Sequence, residues 1–156
     1  MSRSPKTPGK SPKLPNFLCF AVYSANLAFG RAYKPILDAL GLTYTQYIAM
    51  VALSEADEQT VSALGEKLFL ESNTLTPILK KLEQMGYIRR QRDPADERQV
   101  QVSLTTAGRR LIEKDLGAPL IEATGLGDEF PAVQKTVSRL RDNLLQASAA
   151  QPAKKT

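Results

Sequence analysis

The pattern of residues 73–85 predicts a helix with one apolar face, and two strand-like runs, 87–92 and 99–104, follow it at once. In the second run apolar and polar residues alternate, which is the period of a half-buried strand. A shorter helix is predicted before them, at 61–69. Another predicted helix precedes these elements, and the order of helix, short helix, helix and hairpin is that of a winged helix-turn-helix domain. The apolar face has the three- and four-residue spacing that turns a helix towards a core, and comprises Leu75, Ile78, Leu79, Leu82 and Met85.

The opposite face of this helix is small, polar and basic. Asn and Thr suit base edges and phosphates, and Lys suits phosphates. A single Arg at a hairpin tip suits a narrow minor groove. A polar, basic face can also be simply solvated, so the hairpin with its Arg is the stronger part of the signal. The sequence therefore predicts a DNA-binding surface that comprises Ser72, Asn73, Thr74, Thr76, Pro77, Lys80, Lys81, Arg92 and Arg98.

Charge is unevenly distributed along the chain, whose net charge is +5. Residues 1–15 carry four bases and no acid, and residues 149–156 carry two bases and no acid. The rest of the chain holds 15 bases and 16 acids, so the basic balance comes from the ends. Within residues 72–92, however, five bases face one acid, which favours a polyanionic partner.

Composition narrows the possible chemistry. The chain has one cysteine and no histidine, which argues against a metal site and against histidine-based acid–base catalysis. No apolar run approaches the roughly 20 residues that span a bilayer. We expect a cytoplasmic protein without a cofactor or a membrane contact. The terminal segments 1–15 and 148–156 are predicted to be disordered.

Further helices are predicted on both sides of the candidate DNA-binding region. A long helix over 17–40 should end at Gly41 and be kinked or divided by Pro35. Thr43 and Gln46 fit a capping box that opens a helix running to about Ala56, with an inner face comprising Tyr44, Ile48 and Val51. A helix capped by Thr105 or Thr106 should run to a break near Gly125 and Gly127, and a last helix carries a packed seam of Val133, Val137, Leu140 and Leu144.

The hairpin carries a family resemblance. The motif D-x-R-x5-L-T-x-x-G, from Asp96 to Gly108, is similar to the wing signature of the MarR family, and residues 75–88 resemble that family's recognition helix and its exit. The similarity covers about residues 16–147. It implies that Asp96 holds Arg98 and that Arg98 enters the minor groove.

The resemblance also implies an architecture. The chain would be mainly α, a winged helix-turn-helix with N- and C-terminal dimerisation helices. The DNA-binding lobe would span about 43–105 and the dimerisation helices about 16–40 and 106–147. A homodimer of this kind would bind double-stranded DNA with an inverted repeat.

The only cysteine, Cys19, lies in an apolar run, and tyrosines follow it at +4, +14 and +25: Tyr23, Tyr33 and Tyr44. A lone cysteine is most often a small hydrophobic residue in a core. Hydroxyl donors around it can instead stabilise a thiolate and make it a nucleophile. The residues alone leave both interpretations open.

This spacing, with the segment 41–47, resembles the organic hydroperoxide sensors of the MarR family. The resemblance implies that Cys19 is the peroxide sensor and that Tyr33 and Tyr44 of the other subunit donate hydrogen bonds to it. Thr45 stands where a proline is common in those proteins. Two-cysteine members of this group carry a second cysteine near the break before the last helix. The corresponding segment here, 123–127, contains none, so the resemblance implies that oxidised Cys19 would stop at sulfenic acid, pair with a small-molecule thiol or over-oxidise.

We predict a repressor that releases its operator when an organic hydroperoxide oxidises Cys19, and we do not expect an enzyme. One alternative is a MarR-type repressor that responds to a phenolic or other small ligand, with Cys19 structural. A peroxide-consuming enzyme and a protein-interaction module with a winged fold are further alternatives.

Overall fold

The computed structural model describes residues 13–114 and 116–150. Most of the two terminal segments predicted to be disordered, residues 1–12 and 151–156, lies outside this range. The chain separates into two compact units, one ending at Glu113 and the other beginning at Lys114. No helix in the part of the chain that the structure describes is long and apolar enough to cross a membrane.

The first unit is a helical body with a small sheet, which confirms the predicted winged helix-turn-helix. A 3-10 helix, Leu14–Asn16, precedes five α-helices and three strands. They are α1 (Leu18–Asp38), α2 (Tyr44–Glu55), β1 (Gln59–Thr60), α3 (Val61–Leu68), α4 (Ser72–Gln84), β2 (Ile88–Arg92), β3 (Val100–Leu104) and α5 (Thr106–Ile112).

Local sequence signals determine most of these boundaries. Thr43 and Gln46 form the predicted capping box at the start of α2. Thr60 and Thr105 cap α3 and α5 by accepting a backbone N–H three residues on. Gly86 has a φ of +80°, and its N–H bonds to the Glu83 carbonyl while the next residue bonds back to Leu82, which closes the end of α4.

The three strands form one antiparallel sheet in the order β1-β3-β2. The predicted hairpin pairs Ile88 with Leu104 and Arg92 with Val100. Strand β1 is absent from the predicted elements, because two residues are too few to display a period. It leads directly into α3 and adds a third strand beside β3. We call the hairpin from Ile88 to Leu104 the wing.

The core lies between α2, α3, α4 and the sheet. Leu75, Leu79 and Leu82 of α4 are fully buried in it, as the apolar stripe predicts. Around them pack residues of the neighbouring elements, among them Met50, Leu53, Leu64, Ile88 and Val102. The core therefore holds α4 by one face and leaves the other face outside.

The first helices differ from expectation in two respects. Pro35 does not divide α1, because it lies in the last turn, where its missing N–H costs a single hydrogen bond. The inner face of α2 is not Tyr44, Ile48 and Val51, which are partly or largely exposed. Ala49, Met50 and Leu53 are among the buried residues there. Helix α2 is apolar on most sides, so its sequence period does not identify the face that is buried.

The second unit contains α6 (Gly117–Glu122), a 3-10 helix (Gly127–Glu129) and α7 (Phe130–Ala149). The helix predicted from 105 to about 125 is in fact interrupted after Ile112, and α6 follows. The break at Gly125 and Gly127 is present, with both glycines at positive φ. Helix α7 continues two residues past the predicted end at 147. Its seam residues Val133, Val137 and Leu144 are exposed in the single chain.

Candidate functional site

Helix α4 presents most of the predicted DNA-contact residues on its outer face. Its buried leucines orient the helix, and the exposed residues are Ser72, Asn73, Thr74, Pro77, Lys80 and Lys81. Thr76 is half-buried, and its hydroxyl donates to the Ser72 carbonyl at 2.7 Å. Pro77 lies in the second turn, so the helix begins more than a turn before it.

The tip of the wing is organised by two aspartates. The Asp93 carboxylate accepts the Ala95 N–H at 2.8 Å and the Gln101 side-chain amide at 3.0 Å. The Asp96 carboxylate accepts the Arg98 backbone N–H at 3.1 Å and the Gln99 side-chain amide at 3.2 Å. Asp96 therefore holds Arg98 by its backbone. Within residues 13–114, no ion pair joins the two side chains, and Arg98 is exposed.

One of the five bases counted in residues 72–92 is neutralised inside the fold. The Arg90 guanidinium donates to the Glu83 carboxylate through Nε at 2.9 Å and Nη2 at 2.7 Å. The hydrogen bonds from Arg90 hold the pKa of the Glu83 carboxyl below its ordinary value, although desolvation acts in the opposite direction. Arg89, Arg92, Lys80 and Lys81 remain exposed.

A cleft of about 250 Å³ lies between the first turns of α3 and α4 and the outer part of the wing. Ser72, Thr76 and Arg98 line it together, beside Arg90. The fold thus brings three of the predicted DNA-contact residues to one place. The other predicted contacts lie outside this cleft, along α4 and the wing.

The thiol and its nearest tyrosine lie at the start of α1. Cys19 is the second residue of the helix and is exposed in the single chain. Tyr23, one turn later, is also exposed, and its ring centroid lies 6.3 Å from that of Phe20. The interpretation of Cys19 as a core residue therefore does not describe the single chain.

Tyr33 and Tyr44 form a contact that we call the tyrosine pair. Their ring centroids lie 5.9 Å apart, and the ring centroid of Phe29 lies 5.4 Å from that of Tyr33. Burial raises the pKa of the Tyr33 phenol, and the negative charge that Tyr44 carries when ionised raises it further. The raised pKa favours the protonated phenol, which is the form that can donate a hydrogen bond.

The tyrosine pair is distant from Cys19 of the same chain. Cys19 and Tyr33 belong to one helix and are 14 positions apart. A rise of 1.5 Å per residue separates them by about 21 Å along the helix axis. The single chain therefore assembles the two phenols with each other, but not with the thiol.

Sequence reasoning missed two polar links inside the first unit. One is the ion pair of Glu83 and Arg90, whose partners are seven positions apart across a glycine turn. The other is Asp57, whose carboxylate accepts from the Arg109 guanidinium and from the Leu104 N–H. No local spacing rule pairs these residues, since each pair forms only when the sheet is in place.

Known proteins resemble this chain along most of its length. A profile for the family described as "Transcriptional regulator SarA/Rot" matches residues 31–114. An organic hydroperoxide resistance transcriptional regulator of Bacillus subtilis is 48% identical over 107 residues, which is 69% of this chain and 73% of that protein. The chain belongs to the MarR family of transcriptional regulators.

Solved structures of MarR-family proteins have the same fold. Reduced AbfR bound to DNA matches with a TM-score of 0.72 at 35% identity, covering 86% of this chain and 95% of that one. A mutant of Escherichia coli MarR complexed with operator DNA matches with a TM-score of 0.71 at 26% identity, covering 79% of this chain and 92% of that one. In this MarR-family chain, α3, α4 and the wing are the winged helix-turn-helix, and the protein is a transcriptional regulator.

Proposed function

We propose that the chain acts as a homodimeric repressor that senses organic hydroperoxides by oxidation of Cys19 and then releases its operator. The observation that carries this proposal is the distance between Cys19 and the tyrosine pair. The two phenols lie together, about 21 Å from the thiol of their own chain. In a homodimer with antiparallel first helices, the tyrosine pair of one subunit can reach Cys19 of the other.

The surface of α1 supports such a dimer. Of the α1 residues, all of which the structure describes, only Leu37 is buried. Leu18, Val22, Leu27 and Phe29 are large apolar residues that the single chain leaves exposed. Exposed apolar surface of this extent is typical of a protein interface. A two-fold contact along α1 would cover it and would also bring the thiol and the phenols together.

The DNA contact follows from α4 and the wing. In this proposal, α4 enters the major groove with its exposed polar face, and Arg98 enters the adjacent minor groove. The relatives AbfR and MarR have been solved with DNA bound, which supports the same use here. Two copies related by a two-fold axis would select an inverted repeat. The chromosome is the target, so we propose a cytoplasmic location.

The chemistry at Cys19 balances with a hydroperoxide as oxidant. The thiolate attacks the outer peroxide oxygen, the O–O bond breaks, and the products are the sulfenic acid and the alcohol, which takes a proton from water. A small-molecule thiol can then displace water from the sulfenic acid and form a mixed disulfide. Cys19 lies in the first turn of α1, and helix N-termini favour negative charge. The hydroperoxide in the name of the Bacillus subtilis relative supports this inducer.

Tyr44 connects the thiol chemistry to the DNA-binding surface. It is the first residue of α2, and α2 packs on α1, α3, α4 and α5. Loss of the partner's thiolate and the added bulk at Cys19 would displace the tyrosine pair, and α2 with it. A coupling free energy of about 3 kcal/mol would weaken DNA binding about 150-fold.

The test is operator release by cumene hydroperoxide, with a duplex selected by the reduced protein from a random-sequence pool. We expect wild-type protein to release the duplex and Cys19→Ser to retain it. Tyr33→Phe and Tyr44→Phe should slow oxidation about tenfold or more, since hydrogen bonds to charged groups are worth about 1.5–3 kcal/mol. Tyr87→Phe makes the same chemical change outside the tyrosine pair and should react at the wild-type rate.

Unimpaired release by Cys19→Ser would instead favour the second candidate, a repressor that responds to a phenolic or other small ligand. Sustained consumption of peroxide in the presence of excess dithiol would favour an enzyme. An Arg98→Ala variant with intact, salt-dependent affinity for the duplex would contradict the assignment of the wing.

A further inference from the structure

The wing is fastened to α4 by the side-chain link of Glu83 and Arg90. Glu83 lies in the last turn of α4 and Arg90 in the middle of β2. Nε and Nη2 of Arg90 donate to one carboxylate oxygen, at 2.9 and 2.7 Å, and the Arg90 N–H donates to the other, at 3.2 Å. Both oxygens of Glu83 are therefore bonded to one residue, and the pair is only partly exposed.

The link lies at the level where the wing leaves the body of the unit. Arg90 is paired with Val102 of β3, and Val102 is paired in turn with Gln59 of β1. Below this level the sheet packs on the core through Ile88 and Leu104. Above it, β1 pairs only as far as Gln101, and the wing projects towards Arg98.

We propose that Glu83 and Arg90 are positioning residues for DNA binding, which set the angle between the wing and α4 and so place Arg98 in the minor groove while α4 occupies the major groove. This inference rests on the proposed DNA contact. Neither residue needs to touch DNA for it, because both act through Arg98.

A small change of angle at the link would produce a large displacement at the tip of the wing. Two residues of strand, about 7 Å, separate Arg90 from the end of β2, and the turn extends the distance to about 10 Å. A tilt of about 15° at the link would displace the tip by about 2.6 Å, nearly half the width of a minor groove of about 6 Å. The paired backbone of β1 restrains only the other edge of the wing.

Glu83→Gln distinguishes positioning from simple electrostatics, because the two predict opposite signs. Glu83 is an acid beside a surface that would face a polyanion. Removing its charge should strengthen DNA binding if only the net charge of the surface matters. If Glu83 positions Arg98, the same substitution should weaken binding.

The experiment is a double-mutant cycle, measured by fluorescence anisotropy with the full-length, reduced protein and the selected duplex. We expect Glu83→Gln to weaken binding about tenfold in the wild-type background and by less than about twofold in the Arg98→Ala background. Glu55→Gln removes an acid from another ion pair of the same unit, that with Lys67, and should not weaken binding. Thermal unfolding of each variant establishes that it is folded.

Three results would overturn the inference. The first is that Glu83→Gln binds DNA as tightly as the wild type or more tightly, and the second is that it weakens binding equally in both backgrounds. The third is that the double variant Arg90→Lys with Glu83→Gln binds normally, because lysine and glutamine cannot form an ion pair. If Arg98→Ala binds as the wild type does, the proposed wing contact fails and the positioning role fails with it. If Arg98→Ala weakens DNA binding and Glu83→Gln does not, only the positioning role fails.

Discussion

Several polar residues in this protein form side-chain contacts with partners that are distant in sequence. Asp96 and Arg98 could be assigned from a motif, because the turn that joins them is local. Glu83 and Arg90 could not, because the sheet must form before they meet. The same applies to Asp57 and Arg109. Sequence reasoning therefore identified candidate DNA contacts, but not the ion pairs between residues distant in sequence.

The acid stability of the fold should depend on Glu83. Hydrogen bonds from Arg90 lower its pKa below the ordinary value of 4.5. A carboxyl with a lowered pKa in the folded state stabilises the protein above its unfolded pKa, and this contribution is lost as the pH falls through the folded value. We expect the difference in the free energy of unfolding between wild type and Glu83→Gln to shrink from about pH 6 towards about pH 3.

Urea unfolding at several pH values measures this difference. Arg90→Met also lacks the ion pair, so its unfolding free energy should follow the same flatter pH profile as that of Glu83→Gln. A difference that stays constant over this acid range would show that Glu83 contributes no pH dependence through this pair.

At the scale of elements, long periodic segments were predictable and short or uniform ones were not. The stripe of α4 identified its buried face correctly, with Leu75, Leu79 and Leu82 fully buried. Helix α2 is apolar almost all round, so its buried face was assigned wrongly. The two residues of β1 were missed because a segment of that length carries no readable period, and the break between α5 and α6 was missed inside one predicted helix.

The close approach of α5 to the backbone just before β2 depends on Gly108. A Cβ atom there would lie 2.1 Å from the Tyr87 carbonyl oxygen and 3.2 Å from Cδ2 of Leu104. The Tyr87 carbonyl also accepts the Thr105 N–H, so this backbone is not free to move away. We expect Gly108→Ala to destabilise the protein by about 1–3 kcal/mol, the usual cost of overpacking.

Chemical denaturation measures this cost, with Ala107→Ser as the control. Ala107 is exposed on the same helix, so its substitution should change the free energy of unfolding by no more than about 0.5 kcal/mol. Equal effects of the two substitutions would contradict the role of the close approach at Gly108.

At the scale of the whole molecule, the single chain carries the residues of the proposed sensor without bringing them together. The sequence spacing of Cys19, Tyr33 and Tyr44 was visible, but on the proposed mechanism they meet only when a second chain is present. The family resemblance supplied that expectation, which no helical period could have done. The expectation of a second chain now has a geometric reason, because Tyr33, which contacts Tyr44, lies far along α1 from the thiol.

The oxidised protein should carry one modification per subunit. The chain has a single cysteine, so a sulfenic acid at Cys19 has no second thiol within its own subunit to resolve it. With one equivalent of organic hydroperoxide and a monothiol such as glutathione, intact-mass spectrometry should find one mixed disulfide per subunit. Excess hydroperoxide without a thiol should add two oxygen atoms. A covalent dimer as the main product would contradict this.

The separation of about 21 Å along α1 between Cys19 and Tyr33 has a consequence for how the response begins in a cell. On the proposed mechanism, a newly synthesised subunit has a thiol without donors and donors without a thiol. It becomes reactive only after it has found a second copy. The rate of Cys19 oxidation should therefore depend on the concentration of the repressor as well as on that of the peroxide. A cell that dilutes its repressor by growth would lose both operator binding and sensitivity to peroxide.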